Sequence, residues 1–162
     1  MRYHNITTND MLNGEGLRVV LWLAGCHHQC DGCHNPVTWD DQEALPFDLS
    51  AKKELLHKLD HDHISGITLS GGDPLYPSSV EEVSALIKDI KKRFINKSIW
   101  LYTGYTFEEI QEYPLLQYID VLVDGKFELS LYDSSLHWRG SSNQRIIDIQ
   151  KTLQQGKVIL YK

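Results

Sequence analysis

Three cysteines, the only ones in the chain, fall within eight positions as Cys26, Cys30 and Cys33. They follow an apolar, β-branched run, Leu17 to Ala24, that stops at Gly25. Such a run reads as a buried strand, so the C-x3-C-x2-C loop hangs from a strand end. Three thiolates on one short loop suit a cubic [4Fe–4S] cluster, with three irons held and the fourth left without a protein ligand. An odd count at such short spacing rules out a disulfide framework, and a single activated thiol would not call for a trio. A structural zinc site stays open on this segment alone, because His27, His28 or His34 would complete a Cys3His set.

The rest of the chain alternates strand and helix signals. Ser50 is placed as an N-cap, followed by Leu55, Leu56 and Leu59 on one helical face. Ile67 to Ser70 reads as a second strand, stopped by Gly71-Gly72-Asp73-Pro74. Ser79 to Glu82 has the capping-box pattern, and Val83, Ile87, Ile90 and Phe94 recur at helical spacing after it. Ile99 to Tyr102 is a third strand, and Thr103-Gly104 ends it. Thr106 to Glu109 is a second capping box, Pro114 limits its helix, and Ile119 to Val123 is a fourth strand.

This alternation predicts an α/β fold of βαβ units with a mostly parallel sheet. A complete eightfold barrel takes about 250 residues. At 162 residues the expectation is an incomplete, open barrel, a single domain over 1–162 with its core at about 13–145. Chemistry in such folds gathers at the C-terminal ends of the strands. The cysteines, Gly71 to Pro74, and Thr103 to Tyr105 all fall there. Glycines in the second of these loops would let the backbone approach a ligand, although Gly-Gly and Asp-Pro also make plain turns. His57, His61 and His63 read as solvated, and no Ser-His-Asp arrangement stands out.

A net charge of −6 argues against a chain that coats nucleic acid. The apolar run near Val19 to Ala24 is too short to span a membrane. No apolar segment follows the first residues as a secretory signal would, so the expected location is the cytoplasm, where thiols stay reduced.

The cysteine triad together with Ser70-Gly-Gly-Asp-Pro74 resembles the radical S-adenosylmethionine superfamily. The resemblance implies that Cys26, Cys30 and Cys33 bind three irons while S-adenosylmethionine chelates the fourth. Gly71, Gly72 and Asp73 would hold its amino group, and Gly32 and His34 would lie against the cofactor. Reductive cleavage would then yield methionine and a 5′-deoxyadenosyl radical. Where members often carry an aromatic residue before the third cysteine and Tyr after it, this chain has Gly32 and His34.

The likeness is closer to the glycyl-radical-enzyme activases, in particular those serving anaerobic ribonucleoside-triphosphate reductases. It rests on Asn13-Gly-Glu-Gly16, Trp39, Tyr102-Thr-Gly-Tyr105, Val123-Asp-Gly-Lys-Phe127 and Trp138-Arg-Gly-Ser-Ser-Asn-Gln144, with Glu15 at a place where Pro is commoner. It implies a partner, the reductase large subunit, on which a glycyl radical is made, and a low-potential electron donor such as flavodoxin. Tyr105, Arg139 and Asn143 become candidate contacts to partner or cofactor. Two other readings remain: an activase of another glycyl-radical enzyme such as pyruvate formate-lyase, and a small zinc-stabilised binding module.

Overall fold

The computed structural model describes residues 1–33, 36–40, 42 and 44–162, with Thr38 described by its backbone only. Seven strands form one sheet, in the spatial order β3-β1-β2-β4-β5-β6-β7. They are β1 (Arg2–Asp10), β2 (Arg18–Leu23), β3 (Leu45–Pro46), β4 (Gly66–Gly71), β5 (Ser98–Tyr102), β6 (Val121–Asp124) and β7 (Arg145–Asp148). The central strands β2, β4, β5 and β6 pair in parallel, whereas β1 pairs antiparallel with β2 and β3, and β7 with β6. β3 therefore points the same way as β2, so that β1 and β7 alone run against the rest. The sheet is open: β3 lies at one edge and β7 at the other, and Leu160 of the C-terminal segment bridges to Ile147 of β7.

The helices are α1 (Leu49–Leu59), α2 (Val80–Arg93), α3 (Phe107–Ile110) and α4 (Ile149–Gln155). The pleat divides the sheet into two different faces, because successive side chains on a strand point opposite ways. Val19, Leu21 and Leu23 of β2, Ile67 and Leu69 of β4, and Ile99 and Leu101 of β5 share one buried cluster with Leu55 and Leu59 of α1 and Ile87 and Ile90 of α2. The alternate residues of the same strands lie on the other face. Across the register they make one row of Val20, Thr68, Trp100 and Val121. That face is largely free of helix. At its base Arg18 is fully buried; its guanidinium donates to Thr68 and to the carbonyls of Ile67 and Ser98 and lies 5.5 Å from the Trp100 ring centre. Arginine is tolerated there because its planar fork of donors is satisfied.

The strands and helices expected from the four apolar runs are present, with shifts at their ends. The cap of α1 is Asp48, not Ser50: its Oδ1 accepts from Ala51 N at 2.9 Å, which begins the helix two residues earlier. The capping box at Ser79 does not form. Ser79 is helical in backbone and makes no side-chain cap, while Glu82 pairs at 2.5 Å with the terminal amine of Met1. At Thr106, the backbone N–H donates to Glu109 Oε2 at 2.7 Å as expected. The fourth strand starts at Val121 rather than Ile119, because Pro114–Tyr118 winds into a 3-10 turn that Ile119 caps. Strands β1, β3 and β7 and helix α4 were not foreseen. β1 buries Ile6 alone among its nine residues, so it lacks the apolar periodicity that marks a strand.

Candidate functional site

The three loops expected to gather at the strand ends do meet. Strand β2 ends at Leu23 and the chain passes through Gly25 into the cysteine loop. That loop is held from below by two backbone bonds. Cys26 N donates to Trp39 O at 3.3 Å, and Asp73 N donates to Gly25 O at 2.8 Å. Gly72 N, in the loop after β4, donates to Leu23 O at 2.8 Å. Gly71 has φ +96°, and a Cβ there would stand 2.5 Å from Leu23 O. Only glycine fits, because both the left-handed backbone and the close approach forbid a side chain.

These loops wall a cavity of about 440 Å³ over the face opposite α1 and α2. Cys26, Cys30 and Cys33 line one part of it. Gly71, Gly72 and Asp73 line another, and Thr103, Gly104, Trp138 and Arg139 complete the wall. All three cysteines are half-buried, and no disulfide joins them. Burial pushes the Cys26 thiol above its ordinary range, opposed by the backbone at His28 and reinforced by the Asp73 charge. Burial also raises Cys30, against a backbone bond at Phe127. Thiols held protonated in this way must release their protons to solvent when they bind a metal.

The donor set suits a cluster. Among the described residues no three His, Cys, Asp or Glu side chains converge on a single-ion site, as tetrahedral zinc with bonds of about 2.3 Å to sulfur would need. Two of the proposed fourth ligands are engaged elsewhere. The His27 ring lies 4.5 Å from that of Tyr76, and His28 Nε2 lies 2.6 Å from Asp73 Oδ2. Three thiols on one cavity wall, with open space beside them, suit a cubane with one corner free.

The remaining candidates divide. Arg139 is half-buried, lines the cavity, and donates from Nη1 to Gln144 O at 2.5 Å and to Ser142 O at 3.3 Å. Tyr105 does not line the cavity but meets the His28 ring edge-on at 4.8 Å, and burial raises its hydroxyl. Asn143 donates to Lys126 O at 2.7 Å and leaves its own buried Oδ1 without a partner. Gly32 is exposed, has φ +72°, and sits beneath Leu129 rather than on the cavity wall. His34 lies outside the described residues.

Sequence reasoning missed Trp22, a cavity residue whose Nε1 donates to Thr7 Oγ1 at 2.9 Å. Its alternation with Leu21 and Leu23 was the available signal. The bond from His28 to Asp73 is likewise absent from the sequence reading, in which His28 figures only as a zinc ligand. Gln144 shapes the wall, accepting from Gly140 N at 2.9 Å and Ser141 N at 3.1 Å and donating to Gly125 O at 3.0 Å.

Residues 12–147 match the family model described as a 4Fe-4S single cluster domain. The chain is 48% identical over 146 residues to the anaerobic ribonucleoside-triphosphate reductase-activating protein of enterobacteria phage T4, covering 90% of this chain and 93% of that one. The protein of the same name from Pasteurella multocida is 41% identical over 152 residues, with 90% and 96% covered. That of Escherichia coli K12 is 41% identical over 148 residues, with 89% and 96% covered. With likeness of this extent and a cysteine-lined cavity to match, the chain belongs to the family of anaerobic ribonucleoside-triphosphate reductase-activating proteins.

Proposed function

We propose that this protein activates an anaerobic ribonucleoside-triphosphate reductase by creating a glycyl radical on its large subunit. The observation that carries the reading is the shared cavity: three thiols and the Gly71–Asp73 segment face the same space at the strand ends. Cys26, Cys30 and Cys33 hold three irons of a [4Fe–4S] cluster. The backbone of Gly71, Gly72 and Asp73 receives the amino group of S-adenosylmethionine, and His34 is assigned to the adenosine by the resemblance; Gly32, off the cavity wall, serves the turn of the cysteine loop instead. When bound, the cluster and S-adenosylmethionine supply one electron and a 5′-deoxyadenosyl radical that takes a hydrogen atom from a glycine Cα of the partner. The protein binds and orients these groups and keeps water from them.

The fold is a partial radical S-adenosylmethionine barrel, one domain over 1–162, whose open side admits a partner segment to the cavity. Arg139, on the cavity wall, is assigned to steadying that segment or the cofactor, with Tyr105 and Asn143 acting from behind the wall. A low-potential donor such as flavodoxin supplies the electron, and the reaction takes place in the cytoplasm. Among the described residues no helix is long and apolar enough to cross a membrane.

The test is anaerobic reconstitution with iron and sulfide, which should yield about four irons per chain and fail when any one of the three cysteines is changed to Ala. Mixed with reductant, S-adenosylmethionine and the reductase, the loaded protein should release methionine and 5′-deoxyadenosine in proportion to a glycyl radical on the partner. Deuterium placed on the partner glycine should appear in the 5′-deoxyadenosine. Cleavage that is equally fast without the partner, with no deuterium transferred, would sink the reading.

A further inference from the structure

Asp73 is 2% exposed, and among the described residues its carboxylate makes no ion pair with Lys or Arg. It is met instead from three directions. His28 Nε2, in the cysteine loop, lies 2.6 Å from Oδ2 and is the donor, since a carboxylate only accepts. From the loop after β5, Thr103 Oγ1 donates at 2.9 Å to each oxygen and Gly104 N donates to Oδ2 at 2.9 Å. Leu75 N, in its own loop, donates to Oδ1 at 2.9 Å. A carboxylate buried this deeply is tolerable only when its lone pairs are filled.

The surroundings are shaped for this contact. A Cβ on Gly104 would stand 2.4 Å from His28 Cδ2, so the imidazole reaches Asp73 only because position 104 is glycine. The Tyr105 ring meets the imidazole edge-on, at an interplanar angle of 77°. The apolar cluster that stabilises the fold lies on the opposite, helix-covered face of the sheet. His28, Asp73, Thr103 and Gly104 instead line the cavity.

We propose that His28 and Thr103 are positioning residues which, through Asp73, hold the cysteine loop and the Gly71–Gly72 backbone at one separation. A ligand that spans from a cluster on the cysteines to that backbone must match this separation. The proposal therefore rests on the S-adenosylmethionine reading above. It assigns Asp73 a task other than direct contact with the cofactor: its carboxylate is filled by the protein, which leaves the neighbouring backbone to face the ligand.

The experiment compares His28→Gln, Thr103→Val and Thr103→Ser with the unaltered protein, each reconstituted anaerobically. Iron content is measured first, then the change that S-adenosylmethionine causes in the paramagnetic spectrum of the reduced cluster, titrated to give an affinity. His28→Gln and Thr103→Val should load iron as the unaltered protein does but bind S-adenosylmethionine about tenfold more weakly, the scale of one charge-assisted hydrogen bond. Thr103→Ser keeps the hydroxyl and should bind normally. Unchanged affinity in both His28→Gln and Thr103→Val overturns the proposal. So does loss of iron in folded variants, because the network would then shape the cysteine loop alone. An unaltered protein that loads iron yet ignores S-adenosylmethionine removes the cofactor reading itself, and the inference with it, before any substitution is compared.

Discussion

Gly71 and Gly104 are both glycines for reasons internal to the protein, and the two reasons predict different failures. At Gly71 the obstacle to a side chain is backbone: Leu23 O at 2.5 Å and Leu23 N at 2.7 Å, with φ +96° as well. Gly71→Ala should therefore cost more than about 1 kcal/mol of stability, read as a lower urea midpoint, because neither strand can give way. At Gly104 the obstacle is the far part of the His28 side chain. Gly104→Ala should still fold, because the side chain in its way can turn aside, but it should swing the imidazole off Asp73. Its mark would be weakened cofactor binding together with a loss of about 1–3 kcal/mol from the unfilled Asp73 acceptor, and cofactor binding left intact would contradict it.

Helix ends and helix pairs show which local signals hold and which are overridden. At α3 the N–H of Thr106 is satisfied by Glu109, so Glu109→Ala should lower stability by about 1 kcal/mol in chemical denaturation. Between α1 and α2, Lys52 Nζ lies 2.9 Å from Asp89 Oδ2, and Arg93 Nε lies 3.2 Å from Asp89 Oδ1. The hydrogen bond from Lys52, with help from Arg93, holds the Asp89 carboxyl below its ordinary range. A carboxyl lowered by folding adds stability above its unfolded value, and that stability disappears as pH falls through the folded value. Asp89→Asn should thus cost less than about 1 kcal/mol near neutrality, and the gap from the unaltered protein should close in acid. A gap that widens as pH falls would refute the assignment.

At the scale of the molecule, one sheet serves two purposes by keeping its faces apart. The helix-covered face holds the large buried cluster, and the other carries the cavity over a plug of Arg18, Trp100, Trp138 and Tyr161. The Trp100 ring lies 5.1 Å from that of Trp138 and 5.3 Å from that of Tyr161. The Tyr161 hydroxyl donates to Glu15. Burial, and then that bond, push it up to about 12 from 10.0. Between those values the folded protein keeps a proton that the unfolded chain has lost, so stability falls as pH rises. Tyr161→Phe should flatten that alkaline decline, measured by urea unfolding between about pH 9 and 11. An unchanged slope would mean that the hydroxyl is exposed in solution.

The four central strands, the two long helices and the loops that carry chemistry were legible in the sequence because their apolar residues repeat at strand or helix spacing and end at Gly, Asp or Pro. The cysteine triad needed only its spacing. Strands β1 and β7 were not legible: β1 buries only Ile6 and β7 only Ile147. What places both is pairing with neighbours already laid down, which no local pattern records. The same holds for the site. That three thiols, Gly71–Asp73 and Arg139 line one cavity follows from parallel strands bringing their ends to one side. The link between His28 and Asp73, 45 residues apart, exists only once β2 lies beside β4 and β5 beside β4. Side-chain chemistry is written residue by residue, but contact between distant residues is decided by the order in which the strands pair.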